Sequence, residues 1–225
     1  MDRKFYGVFV AGGSGSRMGS EVPKQFLELD GKTILQRTIE RFLEAVPDMH
    51  VVTVLPAQHF QTWKDICIRG ALTCPQILVQ GGLTRFHSVR NALEKIPDGA
   101  IVSIHDGVRP LVSASLVSRM TQTMQSVPAL IPVVPVVDTL RSKDPDIPSP
   151  DRSSLVAVQT PQMFWSELLK DAYTQAYDLS FTDDASVAER KKIPLTLTEG
   201  ERCNIKITTP EDLRLAAAVI SLDRF

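Results

Sequence analysis

The stretch that decides the fold is Phe5-Tyr6-Gly7-Val8-Phe9-Val10-Ala11-Gly12-Gly13-Ser14-Gly15-Ser16-Arg17-Met18-Gly19. Six residues rich in Val and Phe form an apolar run, read as a buried strand, and they break abruptly into glycine and serine. A strand that ends in a glycine-rich turn is a phosphate-binding arrangement. Without side chains the backbone can approach an oxyanion closely and turn its N–H groups toward it.

Downstream the chain alternates. Apolar residues at helical spacing (Ile34, Leu35, Ile39, Phe42, Leu43) predict a helix over 33–46, followed by a strand at 51–55. A helix over 58–68, a strand at 77–79, a helix over 86–96, a strand at 100–104, a helix over 113–126 and a strand at 129–134 continue the pattern. After an interruption come a short strand near Ala157, a helix near 165–177, a strand near 195–197 and a final helix over 210–222, with Thr209 and Pro210 as its start signal. Such alternation predicts an α/β class with one Rossmann-like, doubly wound, mainly parallel sheet. At 225 residues the chain suits a single domain over 1–225.

The interruption is VDTLRSKDPDIPSPDRSS, residues 137–154, polar and carrying Pro145, Pro148 and Pro150. A loop this long inside a compact domain is unusual. It is read as a protruding β-arm at about 137–156, a hairpin built on 138–142 and 155–159; the competing reading is a disordered surface insertion.

Composition excludes several classes. Apolar residues make up 43% and charged residues 23%, which argues against a disordered or fibrous chain. A formal net charge of −1 lacks the basic excess of a nucleic-acid binder, so none is expected as a partner. Any anion must then be held by locally placed Lys and Arg. No run approaches the roughly 18 apolar residues of a membrane span, and residues 5–11 are too short for a signal-peptide core. Cys67, Cys74 and Cys203 fit neither a zinc pattern nor a redox pair, and suit a reducing cytoplasm.

Three classes of phosphate site compete for the first loop. A dinucleotide fingerprint needs a glycine one position before Gly19 and an acidic residue after the second strand, where Leu55-Pro56 stands. A P-loop around Gly31-Lys32-Thr33 lacks its leading glycine, because Phe26 occupies that position. The third class is a nucleotidyltransferase loop, whose glycines are followed by an Arg and a Lys aimed at the α-phosphate; Arg17 and Lys24 supply these. A turn serving packing alone does not need them.

Two more segments carry chemistry. Gly81-Gly82-Leu83-Thr84-Arg85-Phe86-His87-Ser88 sits at a strand-to-helix junction, suited to recognising a base or ribose, although a helix cap explains much of it. His105-Asp106-Gly107-Val108-Arg109-Pro110 follows the strand at 100–104, at the strand end where ligands gather in open α/β sheets. Asp106 is a candidate Mg²⁺ ligand and Arg109 a candidate phosphate clamp. An attacking phosphate is already ionised, so His87 and His105 are read as structural rather than as a general base. Asp183 and Asp184 are adjacent and point apart, so at most one is expected to face a ligand.

Taken in order, AGGSGSRMGSEVPKQF, GGLTRFHSV, HDGVRP, QTPQ, TDDAS and NIKITTPEDL resemble the 2-C-methyl-D-erythritol 4-phosphate cytidylyltransferases, from about Phe5 to Leu213. The resemblance implies a fold of the nucleotide-diphospho-sugar transferase type. It implies transfer of a cytidylyl group from CTP to methylerythritol phosphate, with Mg²⁺ and release of pyrophosphate, in non-mevalonate isoprenoid precursor synthesis. It implies a homodimer whose arm reaches over the partner's active site. Arg17, Lys24 and Lys206 become the expected catalytic cations, and Asp106 the expected metal ligand. Ala11, Gly12, Gly13, Gly82, Arg85, Ser88, Asp106 and Gly107 become nucleotide contacts. Arg109, Thr139, Thr182, Lys206 and, across the dimer, Arg152 become contacts to the sugar-alcohol phosphate. Ribitol-5-phosphate cytidylyltransferases share most of these motifs. Val136-Val137-Asp138-Thr139 and TDDAS favour methylerythritol phosphate, whereas Gly107, in place of a frequent Ala, leans toward ribitol phosphate. A regulator that kept the fold but lost catalysis would lack a cation or the carboxylate, and here Arg17, Lys24, Asp106 and Lys206 are all present.

Overall fold

In the computed structural model, residues 3–13, 19, 22–144 and 146–222 are described. Strand β1 (Phe5–Val10) lies at the centre of an eight-stranded sheet. Its period-two alternation sends Phe5 and Phe9 into the core on one face and Tyr6 and Val8 into the core on the other. β1 pairs in parallel with β4 (His50–Leu55) on one side and β6 (Ile101–Asp106) on the other. β5 (Gln76–Gln80) extends the sheet beyond β4. Across these four strands the sequence order reverses between β1 and β6. That reversal is the switch point at which ligands sit in doubly wound sheets, beyond the carboxyl ends of the strands.

Helices cover both faces. α1 (Ile34–Ala45), α2 (Phe60–Arg69) and α4 (Ala114–Thr123) contribute Leu35, Ile39, Phe42, Trp63, Leu116 and Met120 to one core. α3 (Arg85–Leu93), α5 (Ser166–Ala172) and α6 (Asp184–Arg190) pack Phe86, Val89, Leu169 and Val187 on the other. α1 starts where expected because the Thr33 side chain accepts the Gln36 N–H. The Gly31-Lys32-Thr33 segment is no phosphate loop. Asp30 and Gly31, at φ 54° and 76°, form the tight turn between β2 (Glu28–Leu29) and β3 (Lys32–Thr33), the Asp-Gly pairing that a two-residue hairpin favours.

The second half departs from the expected pattern. An unpredicted strand, β9 (Gln162–Trp165), precedes the helix expected near 165–177, shares only Trp165 with it, and is inserted antiparallel between β6 and β7 (Ala129–Pro135). α5 ends at Ala172, short of the predicted end near 177, and α6 was not predicted at all. β10 (Thr196–Glu199) pairs in parallel with β7. The arm's hairpin also differs. β8 (Val156–Val158) pairs with residues 133–135 at the end of β7, and not with 138–142, which form no strand. The polar, proline-containing stretch cannot offer a regular ladder. Arg152 ties the base of the arm by donating to the Val137 carbonyl at 2.8 Å. The last helix, α7 (Pro210–Leu222), packs Ala216 and Ile220 on Leu29, Ile34, Val108 and Ile207. Among the described residues no helix is long and apolar enough to cross a membrane.

Candidate active site

At the end of β1, Ala11 is buried and donates its N–H to the Val54 carbonyl at 2.9 Å, while Gly12 and Gly13 are exposed. A Cβ on Gly13 would stand 3.8 Å from Lys24 Cε, so the lysine stem runs beside the glycine turn. Lys24 opens a short turn, Lys24–Phe26, set by Pro23, and its ammonium donates to the Ile207 carbonyl at 3.4 Å. Gln25, in the same turn, is 1% exposed, and neither of its amide atoms has a hydrogen-bond partner among the described residues. Beyond β5, Gly82 donates to Ser88 Oγ at 3.0 Å, and Ser88 donates in turn to the Thr84 carbonyl at 3.0 Å. Gly82 is sterically required, because a Cβ there would lie 2.4 Å from His87 Cβ. Together these elements enclose a cavity of about 310 Å³ whose wall also includes Arg85, Asp106 and Lys206.

Asp106 closes β6 and organises the centre. Its Oδ2 accepts Arg109 Nε at 3.0 Å and faces Lys206 Nζ at 3.1 Å. Arg85 Nε approaches Oδ1 only to 3.9 Å, too long for a hydrogen bond. Burial alone would raise the Asp106 carboxyl, but Arg85, Lys206 and Arg109 outweigh it and hold the group far below the usual carboxylate range. Lys206 reaches this point because its segment is strapped down on both sides. Ile207 donates to the Val108 carbonyl at 2.9 Å, Arg109 Nη1 donates to the Asn204 carbonyl at 2.8 Å, and Asn204 Nδ2 donates to the Thr160 carbonyl at 2.8 Å.

Arg85 is itself held by Asp184, whose side chain is wholly buried. Nη1 and Nη2 donate to Oδ1 and Oδ2 at 2.9 and 2.6 Å, and Tyr173 donates its hydroxyl to Oδ1 at 2.6 Å. Burial opposes the guanidinium charge, yet Asp184 and, more weakly, Asp106 raise Arg85 above its ordinary range. Burial, with the charge of Asp184, likewise pushes the Tyr173 hydroxyl up. Asp183 faces the other way. It caps α6 by accepting the Ser186 N–H at 2.8 Å and accepts Gln162 Nε2 at 2.7 Å.

His105 is fully buried beside Asp106 and is structural. Thr160 Oγ1 accepts the Asp106 N–H at 3.1 Å and donates to His105 Nδ1 at 3.1 Å, which leaves Nε2–H to donate to the Arg109 carbonyl at 3.2 Å. Burial pulls the imidazole down to about 3, so it stays neutral. His87 bonds Thr84 Oγ1 at 2.8 Å within the start of α3, and it too is structural.

A second cavity, about 270 Å³, adjoins the first. Arg85, Asp106 and Lys206 line both, and Arg109, Val158, Gln159, Thr160, Gln162, Thr182 and Asp183 complete the second. A larger cavity of about 580 Å³ lies beside the β2–β3 turn. It contains none of the expected site residues, and size alone does not make it the reaction site.

Comparison with known proteins shows the family. The profile of the 2-C-methyl-D-erythritol 4-phosphate cytidylyltransferase family matches residues 6–222. The chain belongs to this family. It is similar to the protein of that name from Phocaeicola vulgatus, at 44% identity over 95% of this chain and 98% of that one. The Porphyromonas gingivalis protein of the same name is 44% identical over 98% of this chain and 100% of its own. The crystal structure of 4-diphosphocytidyl-2C-methyl-D-erythritol synthase from Anaerococcus prevotii superposes with a TM-score of 0.83 at 26% identity, covering 98% of this chain and 97% of that one.

Within this cytidylyltransferase fold, the first cavity gathers Ala11, Gly12, Gly13, Lys24, Gly82, Arg85, Ser88, Asp106 and Lys206, and the second adds Arg109 and Thr182. Thr139 and Arg152 are exposed on the arm and line neither cavity. Arg17 lies outside the described residues. Gly107 is buried, and its reason is packing. A Cβ there would meet Leu35 Cδ1 at 2.9 Å and Ala11 Cβ at 3.0 Å. Sequence reasoning missed Gln25, Tyr173, Thr160 and Val158, and it saw Asp184 as a possible ligand contact rather than as the anchor of Arg85. The TDDAS motif held the signal for Asp184; nothing in the sequence singled out Tyr173.

Proposed function

We propose that this protein transfers the cytidylyl group of CTP to 2-C-methyl-D-erythritol 4-phosphate, giving 4-diphosphocytidyl-2-C-methyl-D-erythritol and pyrophosphate for non-mevalonate isoprenoid precursor synthesis. The observation that carries this reading is the meeting of two cavities at Asp106, Arg85 and Lys206. The glycine-lined cavity takes the nucleotide, and the cavity with Arg109 and Thr182 takes the alcohol phosphate.

An oxygen of the alcohol phosphate attacks the α-phosphorus. A new P–O bond forms, the bond to the bridging oxygen breaks, and pyrophosphate leaves with the electron pair. No proton has to be removed from the nucleophile, which accords with a neutral, buried His105. The obstacle is repulsion between two anions, and fixed cations lower it. Lys206 is at the junction, Lys24 stands over the glycine turn, and Arg109 clamps the incoming phosphate. Arg17 is assigned the α-phosphate by its motif alone.

Mg²⁺ suits the carboxylate set. Among the described residues no group of three or more His, Cys, Asp or Glu forms a metal cage. Mg²⁺ needs none when triphosphate oxygens and water complete its shell, and Asp106 offers Oδ1, which Arg109 and Lys206 leave to the cavity. When bound, the ion adds positive charge at the triphosphate. We assign the arm to a homodimer contact in which Thr139 and Arg152 serve the partner's alcohol site; the exposed Val137, Leu140, Ile147 and Val156 support an interface there. The free cysteines accord with a cytoplasmic protein. Incubation with CTP, Mg²⁺ and either methylerythritol phosphate or ribitol 5-phosphate should release pyrophosphate with the first. Release with the second alone would transfer the enzyme to the ribitol class.

A further inference from the structure

Val158 stands in the wall of the second cavity, and the reaction as described gives it no role. Val158 is the last residue of β8, paired with Val133 of β7 and 44% exposed. Among the described residues that line this cavity, it is the only wholly hydrocarbon side chain. The amides around it are already committed. Gln159 Nε2 donates to the Glu201 carbonyl at 2.7 Å, and its Oε1 accepts the Glu201 N–H at 3.1 Å. Gln162 Nε2 donates to Asp183 at 2.7 Å, and its Oε1 accepts the Ala185 N–H at 2.9 Å.

The substrate's chemistry gives Val158 a partner. The reacting phosphate must sit where the two cavities meet, at Arg85, Asp106 and Lys206. 2-C-Methyl-D-erythritol 4-phosphate carries that phosphate on C4 and a methyl branch on C2, toward the other end of the chain. With the phosphate at the junction, C2 falls among the remaining lining residues. Thr182 offers a hydroxyl there, both Asp183 oxygens already accept bonds from Ser186 and Gln162, and Val158 alone offers a hydrocarbon surface. We propose that Val158 takes the C2 methyl branch and sets the preference for a branched tetritol phosphate over its unbranched counterpart. This rests on the cytidylyltransferase reading above.

The test uses wild type, Val158→Ala and Val158→Thr, each with CTP, Mg²⁺ and either 2-C-methyl-D-erythritol 4-phosphate or D-erythritol 4-phosphate. The readout is the ratio of the two kcat/KM values. Wild type should favour the branched substrate by about tenfold or more, as one-carbon discrimination in an apolar contact allows. Both variants should lower the ratio by about fourfold, the worth of burying one methyl-sized group, through the branched substrate alone. Val158→Thr keeps the shape of the side chain and so separates polarity from a packing defect. An unchanged ratio in both variants overturns the proposal. An equal loss with both substrates, together with weaker self-association by sedimentation, also overturns it and makes Val158 a subunit contact. A wild type inert with both substrates would instead overturn the reaction itself.

Discussion

Replacing Asp184 with Asn tests the architecture behind the reaction centre. The carboxylate is wholly buried and accepts three hydrogen bonds, two from Arg85 and one from Tyr173. Asn preserves the shape but removes the charge, and it brings an N–H₂ group toward a guanidinium that cannot deprotonate. Breaking a buried ion pair from one side costs about 3–5 kcal/mol. Arg85 is 27% exposed and has Asp106 at 3.9 Å as a second anion, so the cost should fall at the lower end, about 3 kcal/mol. For a chain of this size that corresponds to a Tm lower by about 6–12 °C. Calorimetry and urea denaturation measure it. The companion is a cycle with Arg85→Met, in which the double variant should lose less than the sum of the single variants because no charge is left unpaired. A loss below about 1 kcal/mol for Asp184→Asn, with strictly additive singles, would refute the pairing argument.

Three further outcomes follow from the geometry. Because the folded pKa of His105 is about 3 and its unfolded value is near 6.5, the unfolded chain binds more protons between these values, and stability falls as pH drops through that window. From pH 7.5 to 5.5 the loss should be about 1.4 kcal/mol by denaturant titration, and His105→Gln should abolish that share; a pH dependence retained in full would contradict the assignment. Gly107→Ala should cost about 1–2 kcal/mol by overpacking and raise KM for CTP, since the added Cβ presses on Ala11; unchanged stability and KM would show that the site relaxes freely. If Arg152 acts across a dimer, mixing Arg152→Ala subunits with Lys24→Ala subunits should restore part of the activity that each lacks, and no restoration would confine Arg152 to its own subunit.

In the first half of the fold the parallel strands were legible because each is an apolar run bounded by turn residues, while the two-residue strands β2 and β3, with no such run, were not. β1, β4 and β6 need no context, and their order already places a ligand at the ends of β1 and β6. The second half was less legible for physical reasons. β9 begins on the last residue of QTPQ and is only four residues long, too short a run to stand out as a strand ahead of α5. α6 begins with two aspartates, and its capping box becomes visible only once Asp183 and Ser186 are seen to bond reciprocally. Of the candidate site, chemistry pointed to Lys24, Asp106 and Arg109, whereas Lys206 came with the family resemblance alone. The site was illegible where a residue acts through another. Thr160 fixes His105 and Asp106 from 54–55 positions away, and Tyr173 steadies Asp184 from a helix that sequence periodicity could only treat as core.

The most direct test of the central claim is single-turnover cytidylyl transfer by Lys206→Ala. Lys206 stands 3.1 Å from Asp106, in the wall of both cavities, so its charge should act chiefly where the two phosphates meet. The account predicts a transfer rate lower by about 10²–10³, with CTP affinity weakened by far less. A variant that transfers the cytidylyl group at the wild-type rate would contradict it.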